Sequence, residues 1–474
     1  MNNPTIVWGT AGWLLFSSAC MIGPKYQRPG AAAPPAFKEA PPAGWKEAQP
    51  NDGALRGQWW KVYNDPRLDA LEDQVSISNQ NVLAAEAQFR EAQAAVRIAR
   101  AGLFPTVTAA PSATDSGTGA PSSMRRLYTI PIDAAWQIDV WGSIRRTVAA
   151  NSATAQASAA QLENAHLLYQ AELAGDYFQI QGLDASQQLL DATVKSYERN
   201  VQLTQDRFDG GVASQGDVAL AQTQLETARA QLADLGVERA EFEHAIAVLT
   251  GKPPSDLSIP AAPKQAPPPV SSIGLPSTLL ERRPDVAAAE RQVAAANEQI
   301  GIAKAAFFPS LTFSAGVGLQ TTVIGDWLTW PSRFWSVGPQ LAETLFDAGK
   351  RRAQLKLTEA AYDATVANYR QTVLTAFQQV EDSLAQLRIL SDEGEIADRA
   401  VKAAQQSLDI STEQYRGGIA NYLQVITAQT SLLQNQRSAV DILTRRMAAS
   451  VSLIQALGGG WDVSQLPSSQ DLLR

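Results

Sequence analysis

Few residues in these 474 could do covalent or coordination chemistry: one cysteine and two histidines. His166 and His244 have no cluster of Cys, Asp or Glu around them at metal-ligand spacing. The chain also carries no phosphate-cradling loop ending in Gly-Lys-Ser/Thr, no G-x-S-x-G elbow and no cysteine pair. No catalytic site, metal or cofactor is therefore expected, and an enzyme is the weak reading. The thiol of Cys20 is better placed for chemistry. It closes the apolar run IVWGTAGWLLFSSAC, which is as long as a signal-peptide core and shorter than the roughly 20 residues of a membrane helix. Ser18 and Ala19 give the small residues of a lipoprotein cleavage site, so residues 1–19 read as a signal peptide and Cys20 as the acylated first residue. Ser17 in place of Leu, and no Lys or Arg before the run, depart from that pattern.

The elements that follow this anchor are unusual. Charged residues are 18% of the chain, the net charge is −8, and there is no basic block, which excludes nucleic acid as a partner. Residues 20–58 are rich in Pro, Ala and Gly and read as an extended, lipid-anchored tether. After Asp65-Pro66, an N-cap followed by proline at the first helical position, no Pro or Gly occurs until Gly102, which predicts one helix of about 35 residues. AAEAQFREAQAAVRIARAGLFPTV (84–107) then recurs as AAERQVAAANEQIGIAKAAFFPSL (288–311), 204 positions on, and Gly210-Gly211 recurs as Gly417-Gly418, 207 positions on. The chain is a tandem repeat: repeat 1 over 59–259, a Pro-rich linker at 260–273, repeat 2 over 274–460 and a tail at 461–474.

After each Phe-Pro the hydrophobic period changes to two. In SLTFSAGVGLQTTV, Leu311, Phe313, Ala315, Val317 and Leu319 share one face; in YTIPIDAAWQIDV, Ile130, Ile132, Ala134, Trp136 and Ile138 do. With the less regular partners at 106–114 and 335–346, this predicts two strands per repeat and four per chain. Four strands cannot close a barrel, and an open sheet edge is not tolerated in hydrocarbon. Membrane strands would therefore require several copies, three or more for a water-filled lumen. The alternative is a small soluble sheet packed on the helices. Trp136, Trp141, Trp327, Trp330 and Trp335 near the strand ends favour a membrane interface.

From Ser143 to Asp209 and from Lys350 to Arg416 there is no proline, so each run predicts a helix of about 67 residues and about 100 Å. Apolar residues settle there into alternating spacings of three and four, as in Ile180, Leu183, Leu190, Val194, Tyr197 and Val201, which is a coiled-coil seam. The glycine pairs end each run and let the next helix return antiparallel. GSIRR (142–146) and GKRR (349–352) put cations at helix N-termini, where the dipole disfavours them. Lipid phosphates or a solvated first turn would accommodate them.

GLPSTLLERRPDVAAAERQVAAANEQIGIAKAAFFPSLTFSAGVG (274–318), WWKVYNDPRLDAL (59–71), CMIGPKYQRP (20–29) and QALGGGWD (455–462) resemble the outer-membrane factor, or TolC-type, family, in its lipoprotein branch serving resistance-nodulation-division efflux systems. The resemblance spans nearly the whole mature chain. It implies a mainly α fold with a membrane β-barrel: a homotrimer with a 12-stranded β-barrel in the outer membrane and a 12-helix coiled-coil α-barrel across the periplasm. Its partners would be outer-membrane lipid, a periplasmic adaptor protein and an inner-membrane transporter. The adaptor would meet the hairpin tips, Gly210, Gly211, Val212, Ala213 and Ser214 in one repeat and Gly417, Gly418, Ile419, Ala420 and Asn421 in the other. Asp217 matches an acidic entrance position and Leu423 an apolar constriction. Thr427 and Thr430 stand where relatives have Asp and Arg, which implies a periplasmic gate closed by apolar and hydroxyl groups. Helix-terminal stabilisation alone would also explain Asp217. An efflux duct is the reading, with a type I protein-secretion duct or a pore-less periplasmic scaffold as rivals.

Overall fold

The computed structural model describes residues 21–31, 34–39, 46–47, 57–117, 125–261, 268, 272–273 and 281–473. Cys20 and the signal segment lie outside the described residues. The elements are α1 (Pro66–Ser78), α2 (Gln80–Ala101), β1 (Thr106–Ala109), β2 (Ser112–Ser116), β3 (Arg125–Ile138), α3 (Ser143–Asp209), α4 (Gln215–Leu249), α5 (Pro284–Ala305), β4 (Ser310–Thr321), β5 (Arg333–Ala342), α6 (Lys350–Arg416) and α7 (Tyr422–Ala456). A two-residue parallel pairing joins Lys46–Glu47 to Ser272–Ile273.

The two long helices have the predicted bounds, 67 residues each. The single helix expected after Asp65 is instead two. Asp65 caps α1 by accepting from the Arg67 and Leu68 amides, and Asn79 then interrupts the run. Its side-chain oxygen accepts from the Asn81 and Val82 amides at 2.9 and 3.1 Å, while its Nδ2 donates to Leu249 O at 2.8 Å. An Asn side chain that caps the following helix competes with helical continuation, and here tertiary packing gives it that third bond. At this joint α2 and α4 meet end to end beside α3. Repeat 2 has the same joint, where Arg283 precedes α5 and donates to Ala456 O at 3.0 Å.

The return helices end against backbone at these joints. Gly251 (φ +70°) and Gly458 (φ +91°) sit where an added Cβ would fall 2.2 Å from Ser78 O and 1.9 Å from Arg282 O. Only glycine fits the angle and the gap.

The core is shared between repeats. Trp59, Leu68, Val75, Leu173, Tyr177 and Ile246 pack with Met447, Val451 and Ile454 of α7. A second cluster joins α5, α6 and α7 through Val286, Val293, Tyr369, Val380, Leu384 and Leu453. Between α3 and α4 the seam is Val194, Tyr197, Leu225 and Ala228, the knobs expected from the heptad spacing.

The segment after Cys20 is extended, as its composition predicts, but it is docked and not a free tether. The Ile22 amide donates to Trp141 O at 3.2 Å. Arg146 donates to Pro24 O at 3.3 Å, Tyr26 donates to Glu290, and Arg370 donates to Gly30 O at 3.2 Å. Glu381 accepts both the Lys38 and Glu39 amides, and Arg388 pairs with Glu39 at 2.7 Å. Composition shows that such a segment cannot bury itself; it says nothing of the polar groups on other helices that satisfy its backbone.

Candidate functional site at the strand sheet and the hairpin tips

Within the larger sheet all strand pairs are antiparallel. β1 and β2 both pair with β3, β3 pairs with β4, and β4 pairs with β5. A break at Ala110-Pro111 separates β1 from β2 in one strand row, so four rows stand side by side. With β3 of 14 residues, β4 of 12 and β5 of 10, the rows reach the 9–11 or so residues of a tilted membrane strand. β5 stops at Ala342, before Glu343, which breaks the alternation.

Register places apolar residues of neighbouring strands together. Ile132 faces Val317, which faces Trp335, and Trp136 faces Phe313. Among the described residues no helix covers this face: the long strands pack chiefly on one another. Val317 is 56% exposed and Trp335 77%. The sheet is thus not packed on the helices. Aromatic residues gather at both ends of the strands. At the helix end, Trp141 donates to Pro309 O at 2.7 Å and stacks on Phe308, while Trp136 donates to Leu103 O at 3.0 Å. At the other end Trp327 lies against Tyr128, and Trp330 lies under the Arg333 guanidinium at 3.1 Å. An apolar band between two aromatic belts is the arrangement of a lipid-facing barrel wall.

At the corners from strand to long helix, the cations have local partners. Asp139 accepts from the Ile144 and Arg145 amides and pairs with the Arg145 guanidinium at 3.1 Å. Asp347 does the same for the Gly349 and Arg351 amides and the Arg351 guanidinium at 2.7 Å. Arg351 holds the Asp347 carboxyl below its ordinary range. The acid satisfies the helix end and the arginine satisfies the acid, so for these two arginines neither lipid phosphate nor free solvation is needed. Arg146 takes a different course: buried, it pairs with Glu298 at 2.6 Å.

The tips at the far ends of α3 and α6 are built alike. Gly211 and Gly418 both have φ +73°. The Arg207 carbonyl accepts the Val212 and Ala213 amides, and the Gln414 carbonyl accepts those of Ile419 and Ala420. One carbonyl thus closes each tip, and a left-handed residue beside it is what glycine supplies. Ser214 then caps α4 and Asn421 caps α7. Gly210, Gly211, Val212, Gly417, Gly418 and Ile419 are exposed, Ile419 by 83%, while Ala213 and Ala420 are half-buried.

Asp217 completes a capping box. Its carboxylate accepts from the Ser214 amide at 3.0 Å and the Ser214 hydroxyl at 2.9 Å, and its own amide donates back to Ser214 Oγ at 3.2 Å. Leu423, Thr427 and Thr430 lie at i, i+4 and i+7 on α7, on the side opposite the buried Val425 and Ala428. Leu423 and Thr427 are exposed and Thr430 is half-buried. The Thr427 hydroxyl bonds back to Leu423 O at 2.9 Å, so this stripe presents isobutyl and methyl groups and carries no charge. Sequence reasoning missed three residues here. The Tyr415 and Tyr422 rings meet across tip 2 at 5.3 Å, tilted by 50°, and burial pushes the Tyr422 hydroxyl up to about 12. Arg207 reaches the same place from α3. The available signal was the loss of repeat identity at that position, where repeat 2 has Gln414.

Among the described residues no three His, Cys, Asp or Glu come together as a metal site. His244 is exposed, and His166 lines a cavity of about 220 Å³ with Glu163, Trp59 and Trp461.

Comparison with known proteins agrees with this architecture. The chain is 31% identical over 438 residues to the pyoverdine export outer membrane protein OpmQ of Pseudomonas aeruginosa, covering 89% of this chain and 92% of OpmQ. It is 31% identical over 455 residues to the toluene efflux pump outer membrane protein TtgC of Pseudomonas putida, covering 93% of each. Its fold superposes on the outer-membrane channel OprN with a TM-score of 0.87 at 28% identity, over 93% of this chain and all of that one. The family described as outer membrane efflux protein matches twice, at residues 71–252 and 275–459, once per repeat. With an uncovered apolar sheet at one end of two 67-residue helices and glycine-closed tips at the other, the chain belongs to the outer membrane efflux protein family and is located in the outer membrane.

Proposed function

We propose that three copies of this chain assemble into one duct, a 12-stranded β-barrel continued by a 12-helix α-barrel, which passes small molecules out of the cell. The observation that carries this reading is the four-row sheet with an uncovered apolar face and two open edges. Each edge is a row of unpaired amides and carbonyls that hydrocarbon penalises heavily, and closure against further copies removes the penalty. Three copies supply twelve rows, enough for an aqueous lumen. The tips, about 100 Å away along the helices, form the periplasmic entrance, and their exposed apolar residues Val212 and Ile419 are the contacts for a periplasmic adaptor. That adaptor joins the duct to an inner-membrane transporter of the resistance-nodulation-division type. Leu423, Thr427 and Thr430 close the entrance with apolar and hydroxyl groups, and Asp217 places a carboxylate at its rim. Cys20, once acylated, anchors the chain in the outer membrane, and the described chain that follows is held at the strand-to-helix corner, where the Ile22 amide is bonded to Trp141 O. The duct has no catalytic centre.

The test is the oligomer and its current. Purified from membranes, the protein should run as a heat-sensitive trimer and conduct as single channels in a planar bilayer, and deleting the gene should sensitise cells to exported compounds. A monomer that stays soluble without detergent and passes no current overturns the proposal. Replacing Leu423 by Ser should raise the open fraction several-fold; an unchanged current removes that residue from the gate.

A further inference from the structure

The end of the sheet away from the helices carries a loop and a cation that conduction does not require. Residues 322–332 join β4 to β5, and one carbonyl fixes them: Asp326 O accepts the Thr329 amide at 3.1 Å, the Thr329 hydroxyl at 2.7 Å and the Ser332 hydroxyl at 2.6 Å. The Trp327 ring ties the loop to β3 through Tyr128 at 5.4 Å. A loop held this well nevertheless turns its apolar side chains outward. Val323, Ile324, Leu328 and Trp330 are all exposed, the last two by 78% and 74%. They continue the uncovered apolar band of the strands past its end. Arg333, which opens β5, lies opposite Leu319 and so shares the apolar face with Trp335. Its Nε donates to Trp330 O at 2.8 Å and its guanidinium lies on the Trp330 ring.

The corner arginines at the helix end, Arg145 and Arg351, are each neutralised by an aspartate. Among the described residues no carboxylate pairs with Arg333, and its terminal nitrogens are left for an outside acceptor. Arg126, on the same face of β3 as Tyr128, makes an exposed pair with Asp115 at 3.1 Å through its Nε and keeps its other N–H groups. The two arginines stand two strands apart across β4 and four residues apart along the sheet, roughly 16 Å between backbones. A guanidinium at the edge of hydrocarbon is suited to a phosphate, which it meets with two parallel bonds. We infer that this rim is a binding site for a lipid of the outer leaflet whose sugar headgroup carries two phosphates, of the lipid A class. Arg333 and Arg126 take the phosphates, and Ile324, Leu328 and Trp330 lie among the acyl chains. The placing of this rim in the outer leaflet rests on the duct reading, which puts the hairpin tips in the periplasm.

Native mass spectrometry of the full-length protein in detergent, titrated with lipid A, with lipid A stripped of its phosphates and with phosphatidylglycerol, tests the site. The wild type should hold the two-phosphate lipid more tightly than either of the others. Arg333→Gln should weaken that lipid roughly tenfold, the factor that loss of one hydrogen bond to a charged group amounts to, and Arg333→Lys should restore part of the loss. Leu328→Ser should weaken lipid A with and without phosphate alike, by severalfold. Arg145→Gln, at the corner where Asp139 already supplies the anion, should bind as the wild type does. Millimolar inorganic phosphate should leave the lipid in place; displacement by it makes this a free-phosphate site and overturns the inference. So does equal binding of the three lipids by the wild type, or an unchanged affinity in Arg333→Gln. If Arg333→Gln does not assemble, Leu328→Ser carries the test, and unchanged lipid binding there overturns the inference too. Single-channel recording keeps the two readings apart: a wild type without current overturns the duct, whereas current without lipid preference overturns the lipid site alone.

Discussion

α3 and α6 have the same length, the same place in their repeats and the same glycine ending, yet 24 residues of α3 are buried and only 11 of α6. The difference is greatest at the barrel end. Nine of the first 19 residues of α3 are buried and none of the matching 350–368 in α6. α3 is flanked along its length by α1, α2, α4, α5 and α7, whereas α6 packs mainly on α5 and α7, with α3 and α4 reaching it at Tyr415 in its last turn and the N-terminal strap crossing it near Tyr369, Glu381 and Arg388. Leu357, Leu374, Ile389, Ile396 and Ile410 are left half or more exposed, the last three at multiples of seven. Duplication has supplied two equal helices, but only one is covered along its length within the chain. The other keeps a bare apolar seam.

The comparison breaks most sharply at Arg146, whose counterpart is the exposed Ala353. Arg146→Ala makes α3 copy α6. It leaves Glu298 nearly buried without its cation, and we expect a loss of about 3–5 kcal/mol, read as a lower denaturant midpoint, while Ala353→Ser changes nothing measurable. Replacing Arg146 and Glu298 together by Met and Leu should recover most of the loss.

A second test asks where the repeats are equal. Gly251→Ala and Gly458→Ala meet the same obstacle, positive φ and a carbonyl in the way. Each should cost at least about 2 kcal/mol, the left-handed penalty plus the clash. Unequal losses would show that one joint can open and the other cannot.

The smallest effect lies at Asp176, which repeat 2 replaces by Ser383. Burial, and then the neighbouring Glu172, push the Asp176 carboxyl up to about 6. The folded chain therefore holds this proton more tightly than the unfolded chain. The stability linked to it is in place below about pH 4 and is lost as the pH rises through about 6. Asp176→Ser should raise the melting temperature by about one or two degrees at pH 7.5 and leave it unchanged at pH 4.

Much of the architecture was legible because it is local. Helix length follows from the absence of proline over 67 residues, a seam from spacings of three and four, a strand from alternation, and a tip from paired glycines. The candidate site was legible only in part. Ser214, Asn421, Leu423 and the glycines could be placed, since caps and turns are set by residues a few positions apart. Arg207, Tyr415 and Tyr422 could not, because what matters about them is a contact spanning about half the chain.

The sequence by itself determined a duplicated chain with long helices, half-wet strands and glycine-ended hairpins, as each depends on backbone geometry within a turn or two. The tertiary structure alone decided that Asn79 ends a helix, that the strap is docked, that Asp139 and Asp347 hold the corner arginines, and that α6 stays bare where α3 is covered. Those outcomes depend on which polar groups and apolar faces are brought together in space. Periodicity records which face of an element is apolar, and packing decides what meets it.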